Sequence, residues 1–106
     1  MGMIVAFSVA PTITNSPDAE MSEAVAEAVR VVRESGLPHE TNAMFTLVEG
    51  EWDEVFGVIK KATEVVEAVS PRVSLVIKAD IRPGYTDRIR GKVDAIDRHL
   101  GPDAAQ

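Results

Sequence analysis

Few residues of this chain have the type and spacing that chemistry needs. His39 and His99 are the only histidines, and cysteine is absent, which removes thiolate metal sites, thiol nucleophiles and disulfides. Neither histidine belongs to a nucleophile motif or a Ser–His–Asp arrangement. His99 falls near a helix end, where a cation meets the negative end of the dipole. Glu49, Glu51, Asp53 and Glu54 form an acidic run that could hold a divalent cation or supply an acid–base pair. The same run opens a helix, where carboxylates face the positive dipole end, and that reading accounts for it without a metal. No glycine-rich loop is built to cradle phosphate. The expectation is a protein that catalyses nothing and carries no metal or cofactor.

A second group of residues suits recognition better. Ser8 interrupts an apolar strand, Asn42 and Thr46 flank a turn with Met44 between them, Glu49 follows, and Lys78 interrupts a Val/Ile-rich strand. Short polar groups among apolar neighbours are costly if buried unpaired, so each needs a protein or ligand partner. Ser8 reads equally as a core or interface hydroxyl, and Lys78 as a surface or intersubunit ion-pair residue. A three-residue turn over 43–45 would set Asn42 opposite Thr46, whereas a two-residue turn would separate them.

The elements that must position these residues follow from periodicity. Met3–Ala10 alternates, with Val5, Phe7 and Val9 on one face and Ala6, Ser8 and Ala10 on the other, the period of a strand. Ser16-Pro17-Asp18 starts a helix by N-cap, fixed φ and charge, with Met21, Val25, Ala28 and Val32 as its apolar stripe and Gly36 past its end. His39–Glu49 reads as a hairpin. A second helix carries Val55, Ile59, Ala62, Val66 and Val69 at helical spacing, with Trp52 and Phe56 anchoring its opening turns. Val73–Ile81 alternates again, and Asp80 with Arg82 reads as a strand-end ion pair. A short last helix follows, with Ile89, Val93, Ile96 and Leu100 on one stripe, before a frayed tail over 103–106.

The order β, α, β, β, α, β with a trailing helix is the ferredoxin-like α+β arrangement. Right-handed crossovers put both long helices on one face of a four-stranded antiparallel sheet, over Val5, Phe7, Val9, Leu75 and Ile77. The other face, with Ala6 and Val76, is left for solvent or a subunit. At 106 residues the chain is one domain with one core. Its formal charge of −6 argues against nucleic acid, and no run is long enough to span a bilayer. The N-terminus reads as a strand rather than a leader, so a cytoplasmic location is expected.

Phe7-Ser8-Val9-x-Pro11, then Met44-x-Thr46-x-x-Glu49-Gly50-Glu51-Trp52, then Arg72-Val73-Ser74 and Ile77-Lys78 together resemble the small thiamine-binding protein family. The likeness runs from about Met3 to Arg82 and rests on the ordered set rather than on one motif. Asn42-Ala43 and Phe45, and the loop Thr12–Asn15, depart from the family pattern at positions that border a ligand. The resemblance implies a subunit that dimerises or forms a dimer of dimers, and that binds thiamine or its hydroxymethylpyrimidine half without chemistry. The ligand-binding set would be Ser8, Asn42, Met44, Thr46, Glu49 and Lys78. A planar aminopyrimidine would need an apolar slot from Met44, Phe45 or Phe7 and a few polar partners, with Asn42 offering donor and acceptor and Glu49 accepting from the amine. The alternative is an oligomeric regulatory module of the same fold with another ligand or none; a small dimeric ferredoxin-like enzyme is a third reading, without an acid–base pair to support it.

Overall fold

A computed structural model describes residues 2–12, 17–84 and 88–100, with the side chains of 17–21 left aside. The order is β1 (Met3–Pro11), α1 (Pro17–Glu34), β2 (His39–Thr41), β3 (Thr46–Gly50), α2 (Trp52–Glu67), β4 (Val73–Ile81) and α3 (Arg88–Leu100). The strands form one antiparallel sheet in the order β2-β3-β1-β4, the predicted ferredoxin-like topology. Ser16 and the tail over 103–106 lie outside the described residues.

The core is one layer between α1, α2 and one sheet face. Met3, Val5, Phe7 and Val9 of β1 pack with Val48 of β3, Ala24, Ala28 and Val32 of α1, and Val55, Ile59, Ala62 and Val66 of α2. Burying each of the Val, Ile, Phe and Met side chains stabilises by about 1.5–3 kcal/mol. The α2 stripe is as expected except for Val69, which lies past the helix end and is exposed. At the start of α2, Glu54 Oε1 accepts the Glu51 N–H at 3.2 Å, so part of the acidic run closes the helix N-terminus on itself. Trp52 and Phe56 stack in a tilted pair with centroids 4.7 Å apart. Gly36, at φ 79°, turns the chain after α1 in the left-handed region that glycine adopts without strain.

Three expectations fail for packing reasons. Val25 is exposed and Ala24 takes its core place, because α1 is rotated so that small residues meet the sheet. Leu75 and Ile77 do face the helix side, but each is 40% exposed. β4 is an edge strand and the helices sit mainly over β1. The stripe of α3 does not reach this core either, since Val93, Ile96 and Leu100 are all more than half exposed.

The first turn of α3 docks on the opposite face of the sheet. There Glu49, Ile4 and Asp80 form a row across β3, β1 and β4. Both Glu49 oxygens accept the Arg88 N–H at 2.9 Å, and Oε1 also accepts the Ile89 N–H at 3.1 Å. Asp80 pairs with the Arg88 guanidinium at 2.8 Å and with the Lys92 ammonium. The ion pair expected with Arg82 is therefore made with Arg88 and Lys92.

Candidate functional site

β1 pairs with β4 along its whole length, from Met3 to Pro11, but with β3 only from Met3 to Phe7. Beyond the Phe7–Thr46 pair, no described strand flanks β1 on that side. The β2–β3 turn and α1 close the resulting notch into a cavity of about 180 Å3. Phe7, Val9, Val25, Val29, Met44 and Phe45 supply apolar wall, with Thr46 and Asn42 at the turn. Pockets for drug-sized ligands measure about 300–1,000 Å3, so this smaller cavity suits a single ring.

The turn has a local cause. Asn42 Oδ1 accepts the N–H groups of Met44 and Phe45 at 2.8 and 2.9 Å, the side-chain mimicry of backbone that favours Asn in turns. The Asn42 N–H donates to the Phe45 carbonyl at 3.0 Å, so Asn42 faces Phe45 around the two-residue loop Ala43-Met44. Thr46 lies opposite Thr41. Of the two turn lengths the sequence allows, the shorter forms, and Asn42 and Thr46 are not directly opposed. The Asn42 oxygen is engaged in the turn, and its amide NH2 makes no hydrogen bond to a described residue.

Four of the six sequence-predicted residues meet at this cavity: Ser8, Asn42, Met44 and Thr46. Thr46 is 8% exposed on the core side of the sheet; its hydroxyl makes no hydrogen bond to a described residue. Ser8 borders the cavity through β1, but alternation directs its side chain to the open face, opposite Val76. Met44 is largely exposed at the mouth. Glu49 and Lys78 are elsewhere: Glu49 is buried under α3, and Lys78 is exposed on the open face beside Ala6. Sequence reasoning assigned Val25 to the core, when its exposed place at helical spacing makes it a wall of the cavity.

A larger groove of about 1040 Å3 runs between α1 and α2, past Val31, Leu37, Val58 and Lys61. It is open, and none of the sequence-predicted residues reaches it. His39 Nδ1 lies 2.8 Å from the Leu37 carbonyl, a local contact near the start of β2. Among the described residues no group of three His, Cys, Asp or Glu side chains could hold a metal, and no helix is long and apolar enough to cross a membrane.

The family model described as thiamine-binding protein matches residues 5–97. A UPF0045 protein of Mycobacterium bovis is 50% identical over 101 residues, covering 94% of this chain and 96% of that protein. Among solved structures, a hypothetical protein of Methanocaldococcus jannaschii superposes with a TM-score of 0.78 at 30% identity, over 90% of this chain and 95% of that one. A candidate thiamine biosynthesis/salvage protein of Thermotoga maritima superposes with a TM-score of 0.76 over 91% of this chain and 99% of that one. At 24% identity this last likeness speaks for the fold alone.

Proposed function

Since the chain belongs to the thiamine-binding protein family, we propose that it binds thiamine, or the hydroxymethylpyrimidine half of it, without transforming it, so as to sequester, carry or sense the vitamin. The observation that carries this reading is the notch between β1 and the β2–β3 turn. Its cavity is large enough for one ring, apolar on its walls and polar at Thr46 and Asn42. The pyrimidine enters the slot between Phe7, Val25 and Phe45. Thr46 Oγ and the Asn42 amide meet its polar edge, Met44 covers it at the mouth, and Ser8 borders the entrance. The Glu49 carboxylate already holds two N–H groups of α3, and Lys78 is a surface cation, so the reading assigns both to structure and assembly. Calorimetric titration with thiamine, hydroxymethylpyrimidine and the free thiazole tests it. The first two bind and the thiazole does not; absence of heat with all three would contradict the reading.

The unpaired side of β4 supports self-association as the companion proposal, with a second copy as occupant. Nine residues long, without proline, β4 leaves Leu75, Val76, Ile77 and Ile81 at least 40% exposed. A long apolar edge of this kind is a template for another strand, and an antiparallel pair of β4 strands would extend the sheet to twice its width. Pairing centred on Ile77 overlaps the whole strand and sets each Val76 opposite the partner's Lys78. A shift that centred on Lys78 would oppose like charges.

A further inference from the structure

The bonding parity of β1 marks out one residue of the notch. The Arg82 N–H donates to the Gly2 carbonyl and the Thr12 N–H to the Arg72 carbonyl, both at 2.9 Å. The β1–β4 register runs from Met3 opposite Ile81 to Pro11 opposite Val73, so these bonds belong to the same ladder at its two ends. In an antiparallel ladder, hydrogen-bonded and non-bonded pairs alternate. The even-numbered residues Ile4, Ala6, Ser8 and Ala10 therefore direct their N–H and C=O groups to β4, and the odd-numbered residues direct theirs to β3. The hairpin agrees: the Glu49 N–H donates to the Pro38 carbonyl, so odd residues of β3 serve β2 and even ones serve β1. Met3, Val5 and Phe7 find Gly50, Val48 and Thr46. Val9 is next in the series, and β3 has ended. Continuation of the register would set Met44 opposite Val9, where the turn has already diverged.

We infer that the main-chain N–H and C=O of Val9 form the recognition edge of the notch, reading a planar heteroaromatic ring that carries an exocyclic amine beside a ring nitrogen. The inference rests on the ring-binding reading proposed above and deepens it. A strand residue presents its own N–H and C=O side by side on one edge, the pair that an opposing strand would use. An aminopyrimidine offers the complementary pair in its plane: the ring nitrogen accepts from Val9 N–H, and the amine donates to Val9 C=O. The ring takes the place of the missing residue of β3, with Thr46 on one side and the turn on the other. A thiazole ring lacking an amine cannot make both bonds, and a cavity of about 180 Å3 takes one ring rather than two. Discrimination for the amine is steep because a ligand without it leaves a main-chain carbonyl unpaired in a drying pocket.

Amide exchange read by NMR on the wild-type chain is the test, with hydroxymethylpyrimidine and its analogue lacking the 4-amino group as probes. The Ala10 N–H, bonded into the β4 ladder, is protected throughout. The Val9 N–H gains at least about tenfold in protection on saturation with hydroxymethylpyrimidine, and the analogue without the amine binds at least about tenfold more weakly, about 1.4 kcal/mol. Binding of hydroxymethylpyrimidine with no change at the Val9 N–H, or with no preference for the amine, overturns this inference and leaves the ring-binding reading standing. No binding of hydroxymethylpyrimidine to the wild-type chain overturns both.

Discussion

The two ends of the sheet use polar residues in opposite ways. At the α3 end, Glu49, Asp80, Arg88 and Lys92 are matched to one another and to the first N–H groups of the helix. At the notch end, Thr46 hydroxyl and Asn42 amide NH2 meet no described partner, and β1 runs past its neighbour. The α3 end gathers four charged side chains, but these are already engaged with one another and with the helix N–H groups. Formal charge alone therefore points to the α3 end, whereas polar groups that meet no described partner point to the notch.

The largest effect separating the two ends comes from Glu49→Ala. It leaves the Arg88 and Ile89 N–H groups unpaired beneath α3 and lowers stability by about 3 kcal/mol, read by urea denaturation. Hydroxymethylpyrimidine affinity of the folded variant stays within about twofold of wild type; a tenfold loss would erase the division between the ends. Asn42→Ala removes the acceptor for two turn N–H groups, so it costs about 1 kcal/mol of stability and weakens ring binding together. Thr46→Ala separates the two, with binding about tenfold weaker and a melting temperature nearly unchanged, since its hydroxyl holds no described group in place. Val76→Lys sets like charges across the proposed β4 pair and shifts light scattering from dimer to monomer; an unchanged mass would remove that interface.

The smallest effect is acid sensitivity at the α3 end. Hydrogen bonds from Lys92 and then from Arg88 hold the Asp80 carboxyl below its usual range. A carboxylate whose folded pKa is depressed stabilises fully above the unfolded value, near 4, and that contribution is lost as pH falls through the lower folded value. Amide protection in α3 should therefore drop below about pH 4 before protection in the β2–β3 turn does. Simultaneous loss would mean that the ion pairs do not hold α3 locally.

The strands, the two long helices and their order were legible because alternation, helical spacing and the Gly36 turn act locally. The apolar α2 stripe Val55, Ile59, Ala62 and Val66 could be read directly and is buried as read. What could not be read depends on neighbours distant in sequence. Glu49 looks like a hairpin-end carboxylate until Arg88, 39 residues on, brings α3 over it. Leu75 and Ile77 have the pattern of core residues, and only their place at the sheet edge leaves them exposed. Of the proposed site, Thr46, Asn42, Met44 and Ser8 were named from residue type, and the fold brings these four to one cavity. Val9 was read only as an apolar strand residue, because its main-chain N–H and C=O, which face no described strand, become visible only from the register.

The most direct measurement of where recognition occurs is a map of amide chemical-shift changes as hydroxymethylpyrimidine is added to the uniformly labelled wild-type chain. The account predicts that the largest changes fall on Ser8–Ala10 and on 42–46, with those at Glu49, Asp80, Arg88 and Ile89 small. Changes concentrated at the α3 end, or spread evenly over both ends, would contradict it.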